Sequence, residues 1–149
     1  MIYIIVPTFG GVEETNKLLN SLQKSIDAKY LVLIVDDHPQ KVTFNAIGQN
    51  NQVKVLVSDK ELWWVGSINL GIQVLFDAYD LKESDIIVFA NNDIEIEKNS
   101  FNILEYAIQK DKNQIVHPRT FDKEQVEVSS GAKITSLFPY ITRHPKNFK

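Results

Sequence analysis

Four short apolar runs set the limits on what this chain can fold into. They cover residues 2–6, 30–35, 53–57 and 86–90, and each stops at a polar or turn-forming residue. None approaches the length of a membrane span. Runs this apolar read as strands buried on both faces, as in a parallel sheet covered by helices. Between them the apolar spacing changes to three and four residues. Val12, Thr15, Leu19, Leu22 and Ile26 form one such stripe. Ile68, Ile72, Leu75, Phe76 and Tyr79 form another, which predicts a helix capped by Ser67. A short helix is expected over residues 42–49, and one starting at Asn99 or Ser100 carries Phe101, Leu104 and Ile108. This alternation predicts an α/β three-layer α/β/α sandwich with a mainly parallel sheet.

Further along, the pattern is weaker. A strand is expected at residues 114–117, and two more, 125–129 and 133–137, around a turn at Gly131. Residues 142–149 are polar, contain Pro145, and are expected to fray. No repeat, low-complexity tract or linker interrupts the 149 residues, so one domain over residues 1–149 is expected.

Composition narrows the function. The 16 Lys and Arg are outnumbered by 19 Asp and Glu, giving a net charge of −3. No basic excess points to nucleic acid as a partner. There is no cysteine, which removes disulfides and thiolate metal sites. The first strand follows Met1 directly and is too short for a signal peptide. The expected location is the cytoplasm, with peripheral attachment to a membrane left open.

The chemistry lies where the strands end. Pro7-Thr8 follows the first strand, Asp36-Asp37 the second, and Asn91-Asn92-Asp93 the fourth. In a parallel sheet these ends share one edge, and that edge is where open α/β sheets bind ligands. The Asp93 carboxylate, beside uncharged amides, suits a hard cation that also takes phosphate oxygens. Taken alone, the same residues read more readily as a plain strand-end turn. Asp36 and Asp37 can accept hydrogen bonds from a base or from ribose hydroxyls, hold a cation, or close a turn before Pro39. The loop Gly66-Ser67-Ile68-Asn69-Leu70-Gly71 lets a ligand approach the backbone at a helix start, or packs Gly71 on the sheet. Trp63 and Trp64 stack on a ligand or fill the core.

Together these segments resemble the donor half of a family 2 glycosyltransferase, which has the Rossmann-like GT-A fold. The residues that carry the resemblance are Ile5-Val6-Pro7-Thr8-Phe9, Ile34-Val35-Asp36-Asp37, the stretch from Trp63 to Gly71, and Phe89-Ala90-Asn91-Asn92-Asp93. The resemblance implies that a nucleotide-sugar donor is held by Pro7, Thr8, Asp36, Asp37, Gly66, Asn69 and Asn92. It implies Mg2+ or Mn2+ at Asp93, the second carboxylate of an Asp-x-Asp motif whose first position here is Asn91. The implied reaction moves a sugar to an acceptor hydroxyl, on a glycan or lipid-linked glycan, in cell-surface polysaccharide synthesis. In that family the general base comes from a later segment. This chain stops at Lys149, and Asp122, Glu124 and Glu127 read as surface positions. The chain is therefore expected to be a truncated donor half or a small binding protein. Two alternatives accompany this reading: a non-catalytic nucleotide-sugar-binding module and, more remotely, a receiver-like signalling domain.

Overall fold

The computed structural model describes residues 1–110, 115–129, 133–137 and 140–143. The chain forms two compact units, Met1–Phe101 and Asn102–Lys149.

The first unit runs β1 (Ile2–Thr8), α1 (Val12–Ser25), β2 (Tyr30–Asp36), α2 (Val42–Ala46), β3 (Val53–Val57), α3 (Trp63–Ala78) and β4 (Ile86–Phe89). All four strands are parallel, in the order β3-β2-β1-β4. The strand order steps outward from β1 to β3, then jumps back so that β4 lies on the other side of β1. This reversal between β1 and β4 is the topological switch point at which such sheets open a crevice. Pro7 is accommodated because it stands beyond the end of β4. The last β1–β4 pair is Ile5 with Phe89, and the Ile5 carbonyl accepts a bond from Ala90. Pro7, two residues on, faces the same side, so its missing N–H breaks no ladder bond.

Alternate residues of the central strands feed two cores. Ile2, Ile4, Val6, Val32 and Ile34 pack with Leu18 and Leu22 of α1. Tyr3, Ile5, Leu31, Leu33 and Val35 pack with Ile68 and Leu75 of α3. Each fully buried Leu, Ile or Val contributes about 1.5–3 kcal/mol relative to exposure, so these two layers hold the sheet. Gly71 lets α3 approach closely: a Cβ there would lie 2.5 Å from Ile5 Cγ2.

Burial on both faces holds for β1 and β2 but not for β4. Ile86 and Val88 join the α1-side core, whereas Ile87 is exposed and Phe89 is 50% exposed. β4 is the end strand of this sheet, and α3 packs on β1 and β2 instead of over it. Phe76, expected in the core, is also exposed. The buried stripe of α3 is Ser67, Ile68, Gly71 and Leu75, and Phe76 stands about 100° further round the helix. α3 begins four residues before Ser67, at Trp63, so Ser67 is not its cap. α2 ends at Ala46 because Ile47 is already extended.

α4 (Ser100–Lys110) starts in the first unit, where Phe101 completes the α1-side core, and continues into the second. The second unit contains β5 (Thr120–Phe121), β6 (Glu127–Ser129), β7 (Lys133–Leu137) and β8 (Tyr140–Arg143). β6 pairs with β5 and β7 with β8, both antiparallel, and among the described residues β6 does not pair with β7 as expected. Asp122 decides the first pairing: its Oδ1 accepts bonds from the Glu124 and Val126 amides, closing an Asx-type turn. Residues 115–119 form no strand, and Ile115 is fully exposed; Gln114 and Gly131 lie outside the described residues. Thr142 and Arg143, expected to fray, belong to β8, and residues 144–149 lie outside the described residues. Among the described residues no helix is long and apolar enough to cross a membrane.

Candidate functional site

The parallel register brings the strand ends together. Thr8 pairs with Asp36 across β1 and β2, and the Asp37 amide donates to the Thr8 carbonyl at 2.9 Å. Thr8 is buried, and its hydroxyl donates to Thr43 Oγ1 at 3.1 Å; Thr43 in turn donates to the Gly10 carbonyl at 3.4 Å. This relay ties the loop after β1 to α2. Gly10 and Gly11 both have positive φ, 82° and 69°, which turns the chain sharply into α1.

The two adjacent carboxylates have different tasks. Asp36 is 1% exposed; Oδ1 accepts from the His38 amide at 3.1 Å and Oδ2 from the Phe44 amide at 2.8 Å. It therefore stabilises the turn and the start of α2 from inside. Asp37 reaches the start of α3 instead. Its oxygens accept from the Leu62 amide at 2.8 and 3.0 Å and from the Trp63 amide at 2.7 Å. The helix N-terminus that would favour an external anion is thus already met by a carboxylate of the chain itself. His38 pairs with neither carboxylate through its ring. Its Nδ1 accepts from the Gln40 amide at 3.1 Å, and its ring lies 4.9 Å from that of Phe9.

Trp63, the first residue of α3, has φ 56° and is 73% exposed. A left-handed backbone is unusual for so bulky a residue and costs about 1–3 kcal/mol. The Asp37 bond holds it there. Gly66 sits on the next turn, where a Cβ would meet Leu62 Cβ at 3.0 Å. Asn69 is exposed on α3. Ser67 is 1% exposed, and its hydroxyl is buried with no hydrogen-bond partner among the described residues.

After β4, three consecutive side chains diverge. Asn91 Oδ1 accepts from Trp64 Nε1 at 2.9 Å. Asn92 Nδ2 contacts Thr15 Oγ1 at 3.2 Å and the Gly11 and Gly10 carbonyls at 3.4 and 3.5 Å. The approach needs Gly11, because a Cβ there would stand 2.7 Å from Asn92 Nδ2. Asp93 is exposed and makes no hydrogen bond or ion pair among the described residues.

A cleft of about 370 Å³ opens at this edge. Pro7, Thr8 and Phe9 line it from the end of β1, Asp37 from the end of β2, and Glu61, Trp63, Trp64 and Ser67 from the start of α3. Of the expected residues, Pro7, Thr8 and Asp37 therefore share the cleft. Asp36, Gly66, Asn69, Asn92 and Asp93 are not in its lining. Phe9, Glu61 and Ser67 also belong to it, although none of the three was expected as a ligand-contacting side chain. The signal for Phe9 was its place between Thr8 and two glycines. For Ser67, its reading as a helix cap concealed that it faces inward. No cluster of three or more His, Cys, Asp or Glu suited to a metal occurs among the described residues.

A family model described as Glycosyl transferase family 2 matches residues 3–148. Among solved structures, the crystal structure of S. aureus TarS 1-349 aligns with a TM-score of 0.52 at 19% identity. The alignment covers 82% of this chain and 39% of that chain, so this chain spans about two-fifths of that structure's length. At this identity the likeness is one of fold. A search by sequence for curated relatives found no match.

Proposed function

This chain belongs to glycosyl transferase family 2 and has the Rossmann-like GT-A arrangement, and we propose that its strand-end edge binds a nucleotide-sugar donor together with a divalent cation. The carrying observation is the division of labour at Asn91-Asn92-Asp93. Asn91 is tied to Trp64, and Asn92 to Thr15 and the loop before α1, whereas the Asp93 carboxylate, beside the switch point between β1 and β4, makes no hydrogen bond or ion pair among the described residues.

On this reading the nucleoside enters the cleft lined by Pro7, Thr8 and Asp37. Asp37 keeps acceptor capacity despite its bonds to α3, because a carboxylate offers about four acceptor sites. Asp36 acts through its neighbours, holding the turn that aims Asp37. Gly66 and Asn69 shape the start of α3, and Asn92 sets the position of Asp93. Asp93 would hold Mg2+ or Mn2+, with diphosphate oxygens and water supplying the other ligands. The lone exposed carboxylate fits such a shared ion better than a cage built only from protein. When bound, the ion stabilises the charge that develops on the departing nucleoside diphosphate.

The proposed reaction is sugar transfer to a hydroxyl of a glycan or lipid-linked glycan, in cell-surface polysaccharide synthesis, on the cytoplasmic side of a membrane. It requires a base for the acceptor proton. Asp122 is engaged in the β5–β6 turn and Glu127 lies 3.7 Å from Arg119, so neither is assigned that task. Donor binding without transfer is the second reading.

The test is a melting-temperature screen of nucleoside diphosphates with and without Mn2+. A ligand at about 100 times its Kd adds roughly 2.7 kcal/mol of stability. For a chain of this size that raises Tm by about 5–10 °C. If no nucleoside diphosphate moves Tm, with or without Mn2+, the reading is wrong. A donor-hydrolysis assay then separates transfer from binding alone.

A further inference from the structure

The polar groups lining the cleft differ in what they have left to offer. The Thr8 hydroxyl donates to Thr43, and the Asp37 carboxylate holds the Leu62 and Trp63 amides. Ser67 alone among them is buried and unpartnered: it is 1% exposed, lines the cleft, and its Oγ has no hydrogen-bond partner among the described residues. An unpaired buried hydroxyl is costly, and groups left in this state call for an explanation. A serine within a helix commonly bonds back to the carbonyl four residues earlier. That residue is Trp63, whose left-handed backbone marks a departure from regular helix geometry.

The walls around Ser67 indicate the class of ligand. Phe9, Trp63 and Trp64 bring large aromatic surface to the cleft, together with Pro7. All three aromatic residues are exposed, which is unusual for Trp and Phe in the absence of something to cover them. Flat apolar walls with one buried polar group suit a planar heterocycle bearing hydrogen-bonding edges. A diphosphate would instead need cationic partners, and no Lys or Arg lines the cleft.

We propose that Ser67 is the residue that reads the nucleobase of the donor, its hydroxyl bonding the edge of a base held among Phe9, Trp63 and Trp64. This rests on the donor-binding reading above. A hydroxyl both donates and accepts, so it can satisfy either a ring carbonyl or a ring N–H. A base whose edge presents a mismatched group leaves both partners unpaired, and this mismatch produces selectivity.

The test compares the parent chain with Ser67→Ala in titrations against UDP, CDP, GDP, ADP and TDP, each with Mn2+. Ser67→Ala removes only the oxygen and favours the helix, so the ligand-free variant melts at the same or a higher temperature. The expected result is a loss of about tenfold in affinity for the preferred nucleotide, equivalent to about 1.4 kcal/mol. Affinity for the weaker nucleotides changes less, so the preference narrows. If the parent binds one nucleotide preferentially and Ser67→Ala keeps that preference, the inference fails while donor binding stands. An equal loss for all five nucleotides, or a parent without base preference, also overturns it. A parent that binds none of them removes the donor-binding reading and this inference together.

Discussion

The Asp37 carboxylate lies 2.7 Å from the backbone nitrogen of Trp63 and accepts its hydrogen bond. This bond connects the end of β2 to the start of α3. It fixes where α3 begins and holds Trp63 in its left-handed conformation. One side chain thus joins two walls of the cleft.

Replacing Asp37 with Ala should leave the Leu62 and Trp63 amides without their partner. Loss of such a helix-end carboxylate costs about 1–2 kcal/mol. Denaturant unfolding should show this loss, with Asp37→Asn intermediate because it retains one acceptor oxygen. Nucleotide binding should weaken in both. Unchanged stability in Asp37→Ala would mean that the α3 start is held by something other than this bond.

Trp63→Gly separates backbone from ring. Glycine adopts a positive φ without strain, so the substitution removes a conformational cost while sacrificing an indole that is mostly exposed. Glycine's greater unfolded-state freedom offsets part of the gain, so stability should stay within about 1 kcal/mol of the parent. Titration should nevertheless show weaker nucleotide binding, because one wall of the cleft is gone. A variant that binds as well as the parent would remove Trp63 from the site.

Gly71→Ala tests the contact between helix and sheet. The added methyl would meet Ile5 Cγ2 at 2.5 Å, inside a fully packed layer. Overpacking of this kind costs about 1–3 kcal/mol. The reduced unfolding midpoint should be accompanied by disturbed binding, since α3 carries part of the cleft. An increase in stability, as expected from helix propensity alone, would contradict the packing described for this face.

The parts legible in the sequence were those set by local pattern. The apolar runs located β1, β2, β3 and β4, and the change to helical spacing located α1 and α3, because periodicity reports which face is buried. The shared edge of Thr8, Asp37 and Asp93 followed from parallel pairing. What the sequence hid depended on contacts between distant segments. Phe89 reads as core until its strand proves to be the last in the sheet. Ser67 resembles a cap because the true start of α3 is determined by Asp37, 26 residues from Trp63 along the chain. In the sequence Asn91 reads as the stand-in for a motif carboxylate and Asn92 as a ligand contact, and neither reading announces a partner within the chain. In the structure they bind Trp64 and Thr15, contacts 27 and 77 residues away. In the last third, Asp122 redirected the hairpin through a turn with no Gly or Pro to announce it.

On the proposed reading Asp93 holds a cation shared with a nucleoside diphosphate, and Asp93→Ala removes the carboxylate that would bind it. Asp93 is exposed and unbonded among the described residues, so its removal should shift stability by no more than about 0.5 kcal/mol. The decisive measurement is calorimetric titration of parent and variant with the best nucleoside diphosphate, with and without Mn2+. The predicted result is that Mn2+ strengthens binding to the parent and has no such effect on Asp93→Ala, while both melt at the same temperature. Equal enhancement by Mn2+ in the two proteins would contradict the claim and place any cation elsewhere.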